Sequence, residues 1–161
     1  HLIAVVLFAT YIAGVAAFAL FPLRLDAEYV SRPAFDPPIV LDLFFLGRLD
    51  AMSPAQYLGN ILLGVPFGFL APFVWRMSLP KVLVAGLAFS LSIEAIQWLA
   101  TKLMVAFPSR ALDINDVLLN TLGVLAGIAL FVLVRLAYRL LFSDLPTPPR
   151  AWEHFHTTLT T

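Results

Sequence analysis

The feature that most constrains this chain is a set of four long windows that are almost free of charge. They cover residues 2–21, 56–75, 81–100 and 117–133. About 20 mostly apolar residues are enough to cross the hydrocarbon layer of a membrane as a helix. The fourth window extends to about 112–141, where Arg135 and Arg139 can reach the lipid headgroups. The pattern predicts an all-α, multi-pass membrane bundle with four transmembrane helices.

Composition and charge agree with this class and exclude several others. Of the 161 residues, 61% are apolar and 12% are charged, whereas soluble domains average about 45–50% and about 25%. The formal net charge of zero gives no electrostatic field that would attract nucleic acid. The absence of cysteine excludes disulfides, thiolate metal ligands and a cysteine nucleophile.

Between the first and second windows, the sequence predicts a long loop that contains a short apolar stretch. Residues 22–54 carry five acids, three arginines and five prolines, which is typical of a water-facing loop. Within this loop, residues 39–49 are apolar except for Asp42 and Arg48 and are too short to cross a membrane. They are expected to form either a helix lying in the membrane interface or a packed loop segment.

The last residues are expected to form a tail rather than a continuation of the fourth helix. Pro146, Pro148 and Pro149 would end that helix, so we divide the chain into a membrane domain, 1–142, and a proline-rich tail, 143–161. The tail contains a His-x-His pair, His154 and His156, but no third metal ligand nearby. A solvated tail that serves as a tether or docking segment is therefore preferred to a metal site.

Orientation in the membrane is weakly specified by charge. The predicted topology places five basic residues on each side, so the positive-inside rule does not separate the two directions. The first window lacks a basic leader and a clear cleavage site, which favours a span over a signal peptide. We expect both termini on the cytoplasmic side.

Polar residues and glycines in the spans recur at helical spacing. At about 100° per residue, each group below shares one side of its helix. The groups are Asn60, Gly64 and Gly68; Gly86, Ser90, Glu94, Gln97 and Thr101; and Asp113, Asp116, Asn120, Gly123 and Gly127. Glycines at every fourth position allow helix backbones to approach closely. These stripes are therefore predicted to face one another rather than lipid.

Helix direction brings the polar ends of the stripes together. The start of the second span, the end of the third and the start of the fourth meet at the same membrane face. Seven polar residues are predicted to converge there on one pocket: Asn60, Glu94, Gln97, Arg110, Asp113, Asp116 and Asn120. A charge inside the membrane costs about 2.5 kcal/mol or more, so each charged member calls for a partner or a function.

Structural roles compete with a binding role for these residues. Asn60 and Asn120 could bond across helices, and Asp113 could cap a helix or pair with Arg110. Glu94 could be a neutral, protonated acid bonded to Gln97 or Asn60. Two hydroxyl residues of the stripe on the third span, Ser90 and Thr101, are expected to bond to carbonyls of their own helix and are assigned no role in the pocket.

The order and spacing of these residues resemble a known family. Asn60 with the run G-V-P-F-G-F at 64–69, S-x-E-x-x-Q at 92–97 and R-x-x-D-x-x-D-x-x-x-N-x-x-G-x-x-x-G at 110–127 are similar to motifs of the bacterial VanZ-like family. The likeness runs through residues 60–127. It implies a small multi-span protein of the bacterial cytoplasmic membrane, linked to the cell envelope, because the founding member is associated with teicoplanin resistance. No settled reaction comes with the family.

Three functions are compatible with these residues. The pocket could bind the polar head of a lipid-linked envelope component, with Arg110 on phosphate and a hard cation such as Mg²⁺ or Ca²⁺ shared by Glu94, Asp113 and Asp116. The chain could instead be a non-catalytic accessory subunit of a larger membrane complex. It could also be an intramembrane enzyme with Glu94 as acid or base, although no activated nucleophile is apparent. Membrane lipids are expected partners, and no cofactor is identified.

Overall fold

The computed structural model describes residues 1–20, 36–43, 54–103, 111–142 and 150–160. Within these ranges the chain forms five helices and two very short strands. The helices are α1 (Leu2–Leu20), α2 (Pro54–Trp75), α3 (Leu79–Leu103), α4 (Ile114–Phe142) and α5 (Arg150–Thr160), and the strands are β1 (Ile39–Val40) and β2 (Leu112–Asp113).

Three of the described helices are long and apolar enough to cross a membrane. These are α2, α3 and α4, with 22, 25 and 29 residues, as the second to fourth charge-free windows predict. The described apolar run of α1, Leu2–Phe18, is shorter. The helical bundle and its apolar spans are thus confirmed, while the count of four transmembrane helices stays a prediction.

The tight turn between α2 and α3 follows from its local sequence. Arg76 has a φ of 49°, the left-handed conformation that commonly ends a helix, and its amide donates to the Pro72 carbonyl at 3.0 Å. Ser78 then precedes α3, and its carbonyl accepts from the Val82 amide. Pro80 lies in the first turn of α3, where a helix makes no use of the amide proton that proline lacks. The turn sends α3 back antiparallel to α2.

Glycines bring α2 and α4 into backbone contact, the most extensive helix contact described. A Cβ atom added to Gly64 would lie 2.0 Å from the Asn120 carbonyl oxygen, and one added to Gly123 would lie 2.0 Å from the Ile61 carbonyl oxygen. Gly68 and Gly127 are similarly close to the facing backbone. The glycine stripes of the second and fourth spans therefore face each other, as predicted.

One side of α1 packs mainly on α2 and less extensively on α3. Its buried residues, Ala4, Phe8 and Val15, recur at helical spacing and meet the rest of the core through Phe8, which lies against Phe67 with ring centroids 5.6 Å apart. The Tyr11 hydroxyl donates to the Leu63 carbonyl at 2.7 Å. The sequence of α1 is apolar on every side, so its periodicity does not identify the packed face.

The segment predicted to begin an interfacial helix or a packed loop is extended where it is described. β1 pairs in parallel with β2, Ile39 opposite Leu112 and Val40 opposite Asp113. Pro37 and Pro38 precede β1, and each disfavours helical backbone in the residue before it, so the chain enters β1 extended. The helix alternative for 39–49 is therefore wrong at its start, where a packed segment forms. The remainder, 44–49, lies outside the described residues.

Of the alternatives for the tail, the described part is a docking segment rather than a solvated tether, because α5 is a helix packed on the bundle. Leu159 is buried with Ala4, Phe73 and Phe131. Arg139 donates through Nε to the Leu159 carbonyl at 3.1 Å and through Nη2 to the Thr160 carbonyl. These bonds satisfy two carbonyls at the end of α5, which have no partner within the helix.

The two tail histidines hold α5 on the bundle rather than point together at a metal. His154 Nε2 bonds to the Phe73 carbonyl, so Nε2 donates, and Nδ1 accepts from the Arg76 guanidinium at 3.2 Å. The Tyr138 hydroxyl and His156 Nδ1 are 2.9 Å apart. α4 ends before the prolines, as predicted, but the segment beyond them has enough apolar surface to dock.

The glycine contact yields a prediction about stability. Gly64→Ala places a methyl group against a backbone carbonyl that cannot move without shifting its helix, and overpacking of this kind costs about 1–3 kcal/mol. We expect a clearly lower thermal unfolding midpoint in detergent, measured by circular dichroism.

Gly14→Ala is the matched control, because nothing lies within 4 Å of its added Cβ. Its unfolding free energy should change by no more than about 1 kcal/mol, in the stabilising direction. Equal effects of the two substitutions would contradict the packing described for α2 and α4.

Candidate functional site

A polar cavity of about 510 Å³ lies at the end of the bundle where α2 begins and α3 ends. It is lined by Phe18, Ala55, Gln56, Gly59, Asn60, Gln97, Ala111, Asp113 and Asp116. Four of the seven predicted pocket residues, Asn60, Gln97, Asp113 and Asp116, line it directly. Glu94 and Asn120 are buried on the same helix sides, and Arg110 lies outside the described residues.

Asn60 and Asp116 join α2 to α4 at the cavity wall. Asn60 Nδ2 donates to Asp116 Oδ1 at 2.5 Å. The two side chains can meet because the glycine contact one turn further along each helix holds the backbones close together. The cross-helix role considered for Asn60 is thus present, and the same bond fixes the Asp116 carboxylate at the cavity.

Glu94 links α3 to the beginning of α4. Its side chain is 3% exposed, and Oε2 accepts a hydrogen bond from the Asp113 backbone amide at 3.3 Å. A carboxyl group this deep is tolerated only with hydrogen-bond partners. Glu94 therefore holds the strand β2 against α3, and with it the Asp113 side chain that lines the cavity.

Asp113 caps α4. Its Oδ1 accepts from the Asn115 amide at 2.8 Å and from Asn115 Nδ2 at 2.7 Å, which satisfies one of the free amides in the first turn. The capping role that the sequence offered for Asp113 is therefore present. The cap uses one carboxylate oxygen and leaves Oδ2 outside it.

Asn115 is a site residue that sequence reasoning missed. It is 5% exposed, and besides bonding Asp113 it donates from Nδ2 to the Asp42 carbonyl at 2.9 Å. It thereby ties the loop after β1 to the first turn of α4. The only available signal was its place two residues after an aspartate at a helix start, which does not reveal a partner 73 residues away.

The segment around β1 is fixed to α3 by two further contacts. The Trp98 indole donates to the Pro37 carbonyl at 3.0 Å. Lys102 Nζ lies 3.4 Å from Asp36 and 5.0 Å from the centre of the Trp98 ring. The exposed ion pair contributes little by itself, so the indole bond and the pairing of β1 with β2 are the stronger of these contacts.

The stripe of α3 is buried as predicted, but the expected bond of Ser90 to its own helix is wrong. Ser90 donates to the Val117 carbonyl of α4 at 3.2 Å, because the α4 backbone lies within reach of its hydroxyl. Thr101 does bond to its own helix, at the Gln97 carbonyl, 2.9 Å away. Both hydroxyls serve the packing of the helices.

Asn120 has a buried acceptor without a partner among the described residues. Its side chain is 3% exposed, and Oδ1 accepts no hydrogen bond from any of them. The cross-helix bond considered for Asn120 is therefore not made by this oxygen. An unsatisfied buried acceptor costs about 1–3 kcal/mol, a cost that a bound donor would remove.

The shared cation suggested by three acids is not supported by the geometry. Among residues 1–20, 36–43, 54–103, 111–142 and 150–160, no three His, Cys, Asp or Glu side chains are arranged to hold a metal ion. Asp113 and Asp116 accept from Asn115 and Asn60, and Glu94 accepts from an amide. The acids are dispersed among separate hydrogen bonds rather than gathered on one centre.

The fold and the cavity together define a small helical membrane protein with a cavity lined by carboxylates and amides at one end of the bundle. A family model described as VanZ/LLP1 matches residues 8–135, which is well over half of the chain. The chain therefore belongs to the VanZ/LLP1 family, and the match also includes most of α1, which the motif likeness leaves out. No curated protein and no solved structure matches it.

The cap on α4 gives a testable prediction. Asp113→Ala removes the acceptor for the Asn115 amide, and loss of such a cap costs about 0.5–2 kcal/mol. The unfolding free energy in detergent should therefore fall by about 1 kcal/mol. Asp113→Ser is the control, because a serine oxygen can cap the same amide. A serine variant as unstable as the alanine variant would show that the cap is not the contact that matters.

Proposed function

We propose that the cavity binds the polar part of a lipid-linked component of the bacterial cell envelope. The observation that carries this proposal is an acid- and amide-lined cavity of about 510 Å³. Buried on the same side of α4 is the Asn120 side-chain oxygen, which has no partner among the described residues. A concave site with a few converging polar groups in an apolar surround is the usual form of a small-molecule site.

The lining indicates which chemical group would fit. Gln56, Asn60 and Gln97 carry amide donors and acceptors, and Asp113 and Asp116 carry acceptors only. No basic side chain occurs among the described lining residues. Hydroxyl, amide or amino groups, as on a sugar or a peptide, suit this surface better than a phosphate does.

A phosphate would have to lie nearer to Arg110. This residue directly precedes Ala111, which lines the cavity, and a guanidinium binds phosphate through paired donors. We propose that Arg110 contacts the phosphate that joins the polar head to its lipid, while the cavity holds the head itself.

The surroundings of the cavity suit an attached hydrocarbon chain. Phe18 lines the cavity and is 63% exposed, and Leu58 and Leu62 of α2 are each 57% exposed. A ligand with its head in the cavity could lay its acyl or prenyl chain along these apolar helix surfaces without exposing it to water.

The intramembrane enzyme is less well supported. No serine, threonine, cysteine or histidine is found among the described residues that line the cavity. Ser92, in the S-x-E run of the sequence, is exposed and donates to the Ala88 carbonyl of its own helix at 2.8 Å. We therefore propose a binding role in the cytoplasmic membrane, with both termini inside, and connect it with glycopeptide resistance only through the family.

Substitutions of two residues buried about one turn from lining residues of the same helices test this role. Asn120→Leu keeps the number of side-chain heavy atoms and removes the acceptor that has no partner among the described residues. The gain from removing it opposes the cost of two bulkier methyl groups, so the unfolding free energy should change by no more than about 1 kcal/mol. Loss of one hydrogen bond from the ligand should lower its affinity about tenfold. Mass spectrometry of lipids that co-purify from native membranes measures the occupancy.

Glu94→Gln is the second variant, and Ser92→Ala is its control on the exposed side of α3. Glutamine keeps an acceptor for the Asp113 amide but removes the carboxylate, so co-purified ligand should decrease in this variant and not in the control. Folded Asn120→Leu and Glu94→Gln proteins that retain all bound lipid would rule out the pocket. A stoichiometric protein partner without bound lipid would favour an accessory subunit.

A further inference from the structure

A second cavity, of about 420 Å³, lies at the opposite end of the bundle. Its wall is formed by the turn between α2 and α3, the last part of α4, and α5. Arg76 and Ser78 come from the turn, Arg135 from α4, and Thr157 and Thr158 from α5. The docked α5 therefore completes a cavity that the membrane-spanning helices alone would leave open.

The charge of this cavity is opposite to that of the first. Two guanidinium groups line it, and no acidic side chain is found among its described lining residues. Arg135 is half-buried and has no hydrogen bond or ion pair with any other residue in the described part of the chain. Placing a cation in a partly buried position without a partner is costly, which indicates an anionic ligand.

Further donors are available beside the arginines. Ser78 lines the cavity and directly precedes α3, in which the first-turn amides of Leu79 and Lys81 have no partner within the helix. Phosphate is the anion that combines well with guanidinium forks and a helix N-terminus. The hydroxyls of Thr157 and Thr158 are not available as donors to an anion, because they donate to carbonyls of α5.

An apolar cleft adjoins the cavity and indicates the source of the phosphate. The cleft, about 390 Å³, is lined by Pro80, Val84, Ala85 and Ala88 of α3, with Lys81 also in its wall. Met77 lines both the cleft and the cavity. A molecule with a phosphate next to a hydrocarbon chain could occupy both, whereas inorganic phosphate would use the cavity alone.

We propose that this end of the protein binds the phosphate of an anionic phospholipid between Arg76, Arg135 and the start of α3, with an acyl chain in the cleft along α3. The site is separate from the proposed envelope-component cavity, which lies at the other end of the same helices. Its occupancy would also stabilise α5 in its docked position, because α5 forms one wall.

Tryptophan quenching in lipid nanodiscs tests the proposal. Trp75 and Trp152 are 51% and 60% exposed and lie next to Arg76 and within α5, so phospholipids brominated on their acyl chains should quench them on binding. We expect brominated phosphatidylglycerol to reach half-maximal quenching at about a tenfold lower mole fraction than brominated phosphatidylcholine. Arg135→Gln should abolish this preference, since a charge-assisted hydrogen bond is worth at least that factor.

Three further variants sharpen the result. Thr158→Asp places a carboxylate in the cavity and should abolish the preference even if Arg135→Gln does not fold. Arg135→Lys keeps the charge without the planar fork and should retain part of the preference. Lys102→Gln removes one positive charge at the other end of the bundle and should retain all of it.

The outcomes separate the alternatives. Unchanged preference in folded Arg135→Gln and Thr158→Asp proteins would overturn the site. Relief of quenching by millimolar inorganic phosphate would overturn the lipid as the source and identify a soluble phosphate. Loss of the preference in both variants without competition by inorganic phosphate would establish a phospholipid site, whether or not the envelope-component cavity binds its ligand.

Discussion

The close approach of α2 and α4 is the contact on which the other features depend. At Gly64 and Gly123, the backbone of each helix contacts a carbonyl of the facing helix. An added Cβ atom would lie 2.0 Å from that carbonyl oxygen, so a larger residue would push the two helices apart. Only at this separation can Asn60 reach Asp116. Since lipid tails are as apolar as the helix surfaces, packing and hydrogen bonds rather than hydrophobic burial select the helix pairs in a membrane. The glycines therefore determine both the core of the bundle and the wall of the polar cavity.

The outer part of the cavity depends on a second group of contacts, which join distant parts of the chain through backbone atoms. Glu94 holds the Asp113 amide, and Asn115 holds the Asp42 carbonyl. These bonds place the strand pair β1 and β2 over the ends of α3 and α4. A buried carboxyl and a buried amide are each used to position the backbone. Polar residues in the membrane thus support the cavity as well as line it.

The sequence was informative where small or polar residues recur along one face of an otherwise apolar helix. The spacing of Gly86, Ser90 and Glu94 correctly predicts the buried side of α3, and alternating helix direction then places Asn60 near Asp116. The residue pattern was uninformative where a backbone group was the partner. The Pro38 carbonyl accepts from the Leu112 amide, and the Val117 carbonyl accepts from Ser90. Every residue carries such a carbonyl, so residue types do not indicate which one is the partner. A docking segment was one of the alternatives for the tail, but its helical form and its contacts were not predicted, because the prolines before it are also typical of a solvated tail.

The two ends of the bundle differ in the chemistry they offer to a membrane. Carboxylates and amides line the cavity where the segment around β1 packs, while arginines without acidic neighbours among the described lining residues line the cavity where α5 packs. Between them lie the glycine contact and an apolar core that exclude water and hold the two ends apart. A ligand group that suits one cavity is disfavoured by the other, because the signs of the lining charges are opposite. The opposite lining charges therefore make the two ends of the bundle chemically distinct, and this difference is the basis of the two separate ligands that we propose.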